Sequence, residues 1–359
     1  MDIKETKKTK RIKLLLNLLT SLALLVLIFV SRHAIVDAFS KLGQLDTFSL
    51  LLMIPLQFLG YYAVGRLYGD FFKARGEALK PKTAFKIAME LNFVNHVFPS
   101  GGVSGFSYLS LRLKKEGIGT AQSTLAQLLR FALTFISFLL LLVFGLFVLA
   151  LRRKTNPLTI LIASSVMFLT IFGVLLSIYI ISDSNRIKAF VRWLPRFVNR
   201  VVGLFRKSKK DTISITKVEK TLDEMHRDYM SLMADKSALK RPFMWALLIN
   251  ITEILTIYSA YVAFGEYINP GGLIIAYAIA NLAGLVAILP GGVGVYEGLM
   301  TAVMTASGVD KALALSATVV YRVITMLIGL PIGYYFYHRN MNNRQIYELE
   351  KDIESHEEV

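Results

Sequence analysis

The chain has 359 residues, of which 54% are hydrophobic and 18% are charged, and its formal net charge is +16. Several apolar runs reach the roughly 20 residues that a helix needs to cross a bilayer, which excludes an ordinary soluble domain and predicts an all-α polytopic membrane protein. The absence of cysteine excludes disulfides, thiolate metal ligands and a cysteine nucleophile.

Six apolar runs are predicted to cross the membrane completely. They are Leu14 to Val30, Phe48 to Tyr68, Ala121 to Leu151, Leu158 to Ile181, Phe243 to Phe264 and Ala312 to Tyr337. The first run is flanked by basic residues, as a signal peptide is. Because no clean small-residue cleavage site follows it, we interpret it as a span.

Two further apolar stretches, residues 83–111 and 273–307, are each broken near the middle by glycine and proline. The breaks contain Pro99, Gly101 and Gly102 in the first stretch and Pro290, Gly291 and Gly292 in the second. Helices do not run through such breaks, and a freed backbone group at membrane depth has to face protein or water. The pattern predicts two broken, re-entrant helical hairpins, with a pair of ordinary kinked spans as the alternative for each.

The two breaks stand in similar surroundings. From the proline to the next marked glycine, Gly117 or Gly308, there are eighteen positions in both copies, and an alanine follows four positions later. Each copy then places an arginine, Arg130 or Arg322, inside the next apolar run. This shared register predicts an internal structural repeat of the kind found in secondary transporters.

The placement of Lys and Arg predicts the topology, because cytoplasmic loops hold the excess of positive charge. With both hairpins re-entrant, 31 of the 41 basic residues lie on the side of the two termini and six on the other. The termini are therefore expected in the cytoplasm, the hairpins enter from opposite sides, and the repeat is inverted. The units are a first membrane half (1–182), a cytoplasmic segment (183–241), a second membrane half (242–337) and a cytoplasmic tail (338–359).

Within the cytoplasmic segment, residues 186–210 alternate apolar and basic positions. Arg192, Arg196 and Arg200 recur every four residues, which predicts an amphipathic helix on the anionic inner leaflet. The apolar stripe argues against nucleic acid as the partner. A loop that only sets the topology is the alternative.

Polar groups at membrane depth are the candidate substrate-binding residues, because an ionisable side chain there is costly. The candidates are Arg130, Arg322, Glu297, Glu253, Asn92, Asn95 and Asn281. We expect Glu297 to pair with Arg322, and two arginines suit a phosphate-bearing head group because the guanidinium donates two parallel hydrogen bonds. The alternative is that these groups only tie helices together. No metal or cofactor is predicted, since His96 stands alone with no carboxylate at ligand spacing.

The sequences PGGVGVYEG (290–298) and LNFVNHVFPSGGVSG (91–105), with the Tyr321-Arg322 pair, resemble the transmembrane, flippase-like domain of lysylphosphatidylglycerol synthases. The resemblance covers about residues 14–337. It implies movement of an anionic or aminoacylated phospholipid between the leaflets of a bacterial-type plasma membrane, and resistance to cationic antimicrobial peptides. Members often carry an acidic residue after the first Gly-Gly, where this chain has Ser104, Gly105 and Phe106, which puts the identity of the lipid in question.

The expected activity is transport rather than catalysis. Full-length relatives carry a soluble aminoacyl-transferase domain, and the chain stops at Val359, so we expect no room for one here and consider a separate lipid-modifying enzyme a candidate partner. Lipid modification and the carriage of a water-soluble anion are the alternative functions. Because no nucleotide-binding motif is present, net pumping would need an ion gradient or consumption of the lipid on the far side, and we hypothesise proton coupling through Glu253 or Glu297.

Overall fold

The computed structural model describes residues 45–98, 103–151, 236–284 and 293–341, together with isolated positions outside these ranges. These ranges are helical except for short turns, which confirms the predicted all-α class. The helices are α1 (Thr47–Lys73), α2 (Pro81–Val97), α3 (Val103–Lys114), α4 (Thr120–Leu151), α5 (Lys240–Ala263), α6 (Pro270–Gly284), α7 (Val295–Ala306) and α8 (Lys311–Met341), with a 3-10 turn at Lys236–Leu239 before α5.

Four of these helices, α1, α4, α5 and α8, are long and apolar enough to cross a membrane. They correspond to four of the six predicted spans. The other two, Leu14 to Val30 and Leu158 to Ile181, lie outside the continuously described ranges. The same holds for the surface arginines Arg192, Arg196 and Arg200 and for the break residues Pro99, Gly101, Gly102, Pro290, Gly291 and Gly292.

The two predicted hairpins correspond to the pairs α2–α3 and α6–α7. Both pairs begin slightly earlier than predicted, because Pro81 and Pro270 stand at the first helical position, where the missing proline N–H costs nothing. At a rise of 1.5 Å per residue, the 12 residues of α3 and of α7 extend only about 18 Å. A hydrocarbon core is about 30 Å thick, so neither helix is long enough to cross it alone.

Each hairpin packs against the last long helix of the opposite half. In the first half, α2 lies against α8, and Leu91 and Phe93 share a buried cluster with Tyr337 of α8. In the second half, α6 lies against α4, and Leu273 shares a cluster with Leu142 of α4. Helices α1 and α5 make the most extensive helix–helix contact described and hold the two halves together. Each half of the chain therefore supplies the long helix that covers the helix pair of the other half.

Glycines permit the close approach of these helices. A Cβ added at Gly333 of α8 would lie 2.6 Å from the Met89 carbonyl oxygen and 2.7 Å from the Phe93 Cβ of α2. A Cβ at Gly65 of α1 would lie 2.9 Å from backbone atoms of α2. Small residues at such crossings are the usual means of bringing membrane helices into contact.

We predict that Gly333→Val destabilises the folded protein, because the new side chain would push α8 away from the backbone of α2. Overpacking of this kind costs about 1–3 kcal/mol. The midpoint of thermal unfolding in detergent should fall accordingly. Gly69→Val is the control, since a Cβ at Gly69 meets nothing within 4 Å. An equal fall in both variants would contradict the prediction.

Candidate functional site

The site is centred on an ion pair at the start of α7. Gly294, at a φ of +88°, ends the preceding turn and places Glu297 in the first turn of the helix. One oxygen of the Glu297 carboxylate, Oε2, accepts a hydrogen bond from the Gly294 N–H at 2.7 Å. The other, Oε1, accepts from Arg322 Nη1 at 2.6 Å. The predicted pairing of these two residues is confirmed.

Both side chains of the ion pair are largely shielded from solvent. The side chain of Arg322 is 8% exposed and that of Glu297 is 12% exposed. The guanidinium carbon of Arg322 lies 4.9 Å from the centre of the Tyr296 ring, an arrangement in which the ring face attracts the cation.

Next to this pair, Glu253 of α5 joins three long helices. Its carboxylate accepts a hydrogen bond from the Tyr321 hydroxyl of α8 and one from Gln57 Nε2 of α1 at 3.3 Å. Both donors are neutral, and among the described residues no cationic group forms an ion pair with Glu253. The two carboxylates of the site thus differ, since Glu297 pairs with an arginine and Glu253 accepts from neutral donors.

Arg130, the counterpart of Arg322 in the first half, has different surroundings. Its guanidinium carbon lies 4.8 Å from the Phe131 ring, and its buried Nε has no hydrogen-bond partner in the part of the chain that the structure describes. Within the described ranges no carboxylate pairs with it. One helical turn earlier, Gln127 accepts a hydrogen bond from Tyr68, while its buried Nε2 is also without a partner. Two buried donors on one face of α4 therefore lack acceptors.

The predicted asparagines fall in three different environments. Asn92 lies where α2 meets α8, since a Cβ added at Gly329 would lie 2.7 Å from the Asn92 Nδ2. The backbone carbonyl oxygen of Asn92 is 2.9 Å from His96 Nδ1. Asn95 packs closely against Gly105 of α3, and its buried Oδ1 has no partner. Asn281 is exposed and donates to the Tyr277 carbonyl of its own helix, so the described contacts do not bring it into the site.

Sequence reasoning missed the neutral members of the site. Tyr321, Tyr296 and Gln57 surround the two carboxylates. Gln57 could have been found from the sequence, because it is a polar side chain inside the apolar run Phe48 to Tyr68. Tyr296 and Tyr321 lie within the motifs that carry the family resemblance, but a criterion based on charged and amide side chains at membrane depth does not select them.

A second polar network ties the first hairpin to the end of α8. The Glu90 carboxylate accepts from the Tyr108 hydroxyl at 2.9 Å and from Arg112 Nε at 3.1 Å. Arg112 also donates to Glu116, and Asn340 of α8 donates to the Tyr108 hydroxyl at 3.2 Å. The side chain of Arg112 is buried, and the Glu90 carboxylate neutralises its charge.

The profile of the lysylphosphatidylglycerol synthase TM region matches residues 14–333. A UPF0104 membrane protein of Methanothermobacter thermautotrophicus is 28% identical over 173 residues, which are 48% of this chain and 49% of that protein. One of Pyrococcus horikoshii is 23% identical over 187 residues, 52% and 55% of the two chains. Another from M. thermautotrophicus is 26% identical over 263 residues, 68% and 71% of the two. The chain spans about half the length of the first two relatives.

We predict strong coupling between Glu297 and Arg322 in the free energy of unfolding. Glu297→Gln or Arg322→Gln alone leaves one charge buried without its partner, which costs about 3–5 kcal/mol. The double variant buries two neutral amides and should recover a large part of that loss. Unfolding of the four proteins in a titration with sodium dodecyl sulfate measures the coupling, and strictly additive losses would contradict it.

Proposed function

Because the chain belongs to the family of the lysylphosphatidylglycerol synthase transmembrane region, we propose that this multi-pass membrane protein moves a phospholipid between the two leaflets. The phospholipid would be anionic or aminoacylated, and its phosphate would be the group that the buried arginines recognise. Delivery of an aminoacylated lipid to the outer leaflet would lower the negative charge of the outer surface and so contribute to resistance to cationic peptides. The proposed location is a bacterial-type plasma membrane with both termini in the cytoplasm.

The observation that carries this proposal is the asymmetry of the two arginines. Arg322 is neutralised by Glu297, whereas the buried Nε of Arg130 has no acceptor among the described residues. A buried donor without an acceptor costs roughly 1–3 kcal/mol, and a phosphate oxygen would remove that cost. A phosphate could therefore bind first at Arg130 and then compete with Glu297 for Arg322.

Reciprocal packing supports an inverted repeat as the framework for this movement. In transporters built on inverted repeats, the substrate site lies where the broken helices of the two halves meet. Here Asn92 of the first hairpin packs against Gly329 of α8, two helical turns beyond Arg322, which pairs with Glu297 of the second hairpin. A small tilt of one half against the other would expose this junction to one leaflet at a time.

Two other functions remain as alternatives. The family takes its name from an enzyme, so the chain could serve as the membrane subunit of a separate lipid-modifying enzyme. It could also carry a water-soluble anion, since a buried arginine recognises the charge of a phosphate whatever is attached to it. A solute carrier would take up a soluble phosphate ester without moving lipid, and the subunit of a modifying enzyme would do neither on its own.

We predict that Arg322→Ala and Arg130→Gln each lower lipid movement at least tenfold. Fluorescent phosphatidylglycerol and its lysyl derivative are placed in vesicles with purified protein, and an impermeant quencher reports the protected leaflet. Arg130→Gln breaks no described ion pair, so the fold should survive. Arg339→Ala is the control, because this exposed arginine of α8 donates a hydrogen bond to the Tyr335 hydroxyl at 3.1 Å and lies outside the site.

Each outcome of this experiment is decisive. Loss of protected signal with wild-type protein and with Arg339→Ala, but not with the two site variants, supports lipid movement through the buried arginines. An unchanged protected signal with wild-type protein, together with uptake of a soluble phosphate ester, indicates a solute carrier. Full activity of both site variants would refute the proposed roles of Arg130 and Arg322.

We also predict that Glu253→Gln separates lipid movement from proton coupling. A glutamine can still accept hydrogen bonds from Tyr321 and Gln57 but cannot carry a proton. A pH gradient should therefore enrich lipid in one leaflet with wild-type protein and not with the variant, while exchange without a gradient continues. Glu266→Gln, at an exposed position after α5, is the control. A wild-type distribution that ignores the gradient would contradict coupling.

A further inference from the structure

A cavity lies at the end of the bundle where α1 ends and α5 begins. Its volume is about 470 Å³, within the range of roughly 300–1,000 Å³ that is usual for ligand pockets. Arg66 and Lys73 of α1 and Arg241 of α5 line it. At 1.5 Å per residue, Arg66 stands about 13 Å along α1 from Gln57, so this cavity is separate from the ion-pair site.

Arg66 is held in place before any ligand binds. Its guanidinium carbon lies 5.4 Å from the Trp245 ring and 5.9 Å from the Tyr62 ring, and its Nη1 is 3.4 Å from the Tyr62 hydroxyl. The two rings meet edge to face. A cation fixed in this way loses little side-chain entropy when it binds an anion.

The side chains that line the cavity carry a net positive charge even when its acidic residues are counted. Asp70 accepts from Trp245 Nε1 at 2.8 Å and lies 3.5 Å from Arg66 Nη2, so its charge is already engaged. Glu77 lines the cavity as well. Three cationic and two anionic side chains therefore face the space, which favours a ligand that carries one negative charge.

The remaining walls suit a lipid more than a soluble ion. Leu79, Pro81 and Ala84 supply apolar surface beside the cations. The cavity lies at the ends of two membrane-length helices and beside Trp245 and Tyr62, and such aromatic side chains concentrate at the level of the lipid head groups. A phospholipid can contact the cationic side chains with its phosphate and the apolar residues with its glycerol backbone and acyl chains.

We propose that this cavity binds the phosphate of an anionic phospholipid head group at the membrane surface, apart from the proposed transport pathway. The phosphate lies among Arg66, Lys73 and Arg241, and the glycerol backbone lies against the apolar wall. This binding holds whether or not the protein moves lipid. Bound lipid would join the end of α1 to the start of α5, the two helices that hold the halves together.

Two variants test the cavity in different ways. The double variant Lys73→Gln, Arg241→Gln removes two cations from its rim. Gly69→Leu fills the space, because a Cβ at Gly69 meets no atom within 4 Å and a larger side chain extends into the opening. Gly69→Ala is the size control, and Arg339→Gln controls for the loss of an arginine outside the cavity.

Binding is followed with purified full-length chain in detergent. Trp245 is one of two tryptophans, so its fluorescence in a Trp193→Phe background reports on the cavity. Dioctanoylphosphatidylglycerol should change it saturably, with affinity at least tenfold weaker in the double variant and in Gly69→Leu and unchanged in the two controls. High salt should weaken the binding.

Three results would overturn the proposal. The cavity variants could bind as tightly as wild-type protein, which would place the lipid elsewhere. Dioctanoylglycerol, which has no phosphate, could bind equally well, which would show that the cations are not used. Inorganic phosphate could compete at the concentration of the lipid itself, which would make this a site for a soluble anion.

Discussion

The apolar interior of the bilayer imposes the constraint on which the whole arrangement depends. No water is present there to satisfy a backbone or a charge, so every interrupted helix has to be covered by other protein. Helices α8 and α4 provide that cover for the hairpins, and each comes from the opposite half of the chain. Gly333 and Gly65 bring the helix backbones close enough for the cover to be tight. The contact between α1 and α5 then keeps α8 and α4 packed against the hairpins.

The same constraint explains how the ionisable groups are arranged. Glu90 is held by Arg112 and Glu297 by Arg322, and each of these pairs receives a further hydrogen bond, from Tyr108 and from the Gly294 N–H respectively. Each of these ion pairs should stay together in any movement of the protein, because separating its members would leave an unpaired charge in a medium that cannot solvate it. Among the described residues Glu253, by contrast, accepts only from neutral donors, and changing its charge would require few compensating movements.

Much of the fold could be predicted from the sequence, because length and apolarity alone identify a span. The four membrane-length helices match predicted runs within a few residues, and the Pro-Gly-Gly signals identified both interrupted stretches. The pairing of Glu297 with Arg322 followed from the scarcity of charges at membrane depth. The pairing of Glu90 with Arg112 did not, because a basic residue five positions before a glycine turn is equally typical of a solvated loop. The burial of Arg112 depends on α3 folding back onto α2, a contact that no local pattern encodes.

The reciprocal cover also determines the order in which the protein can mature. About 240 residues separate Phe93 of the first hairpin from Gly333 on the helix that covers it, and at 5–20 residues per second their synthesis takes roughly 10–50 s. During that time α2 and α3 are in the membrane without α8. An insertion machinery that shields broken helices would have to hold the first hairpin until the last span emerges, and a ribosome that stalls before α8 would leave an exposed hairpin for membrane proteases to remove.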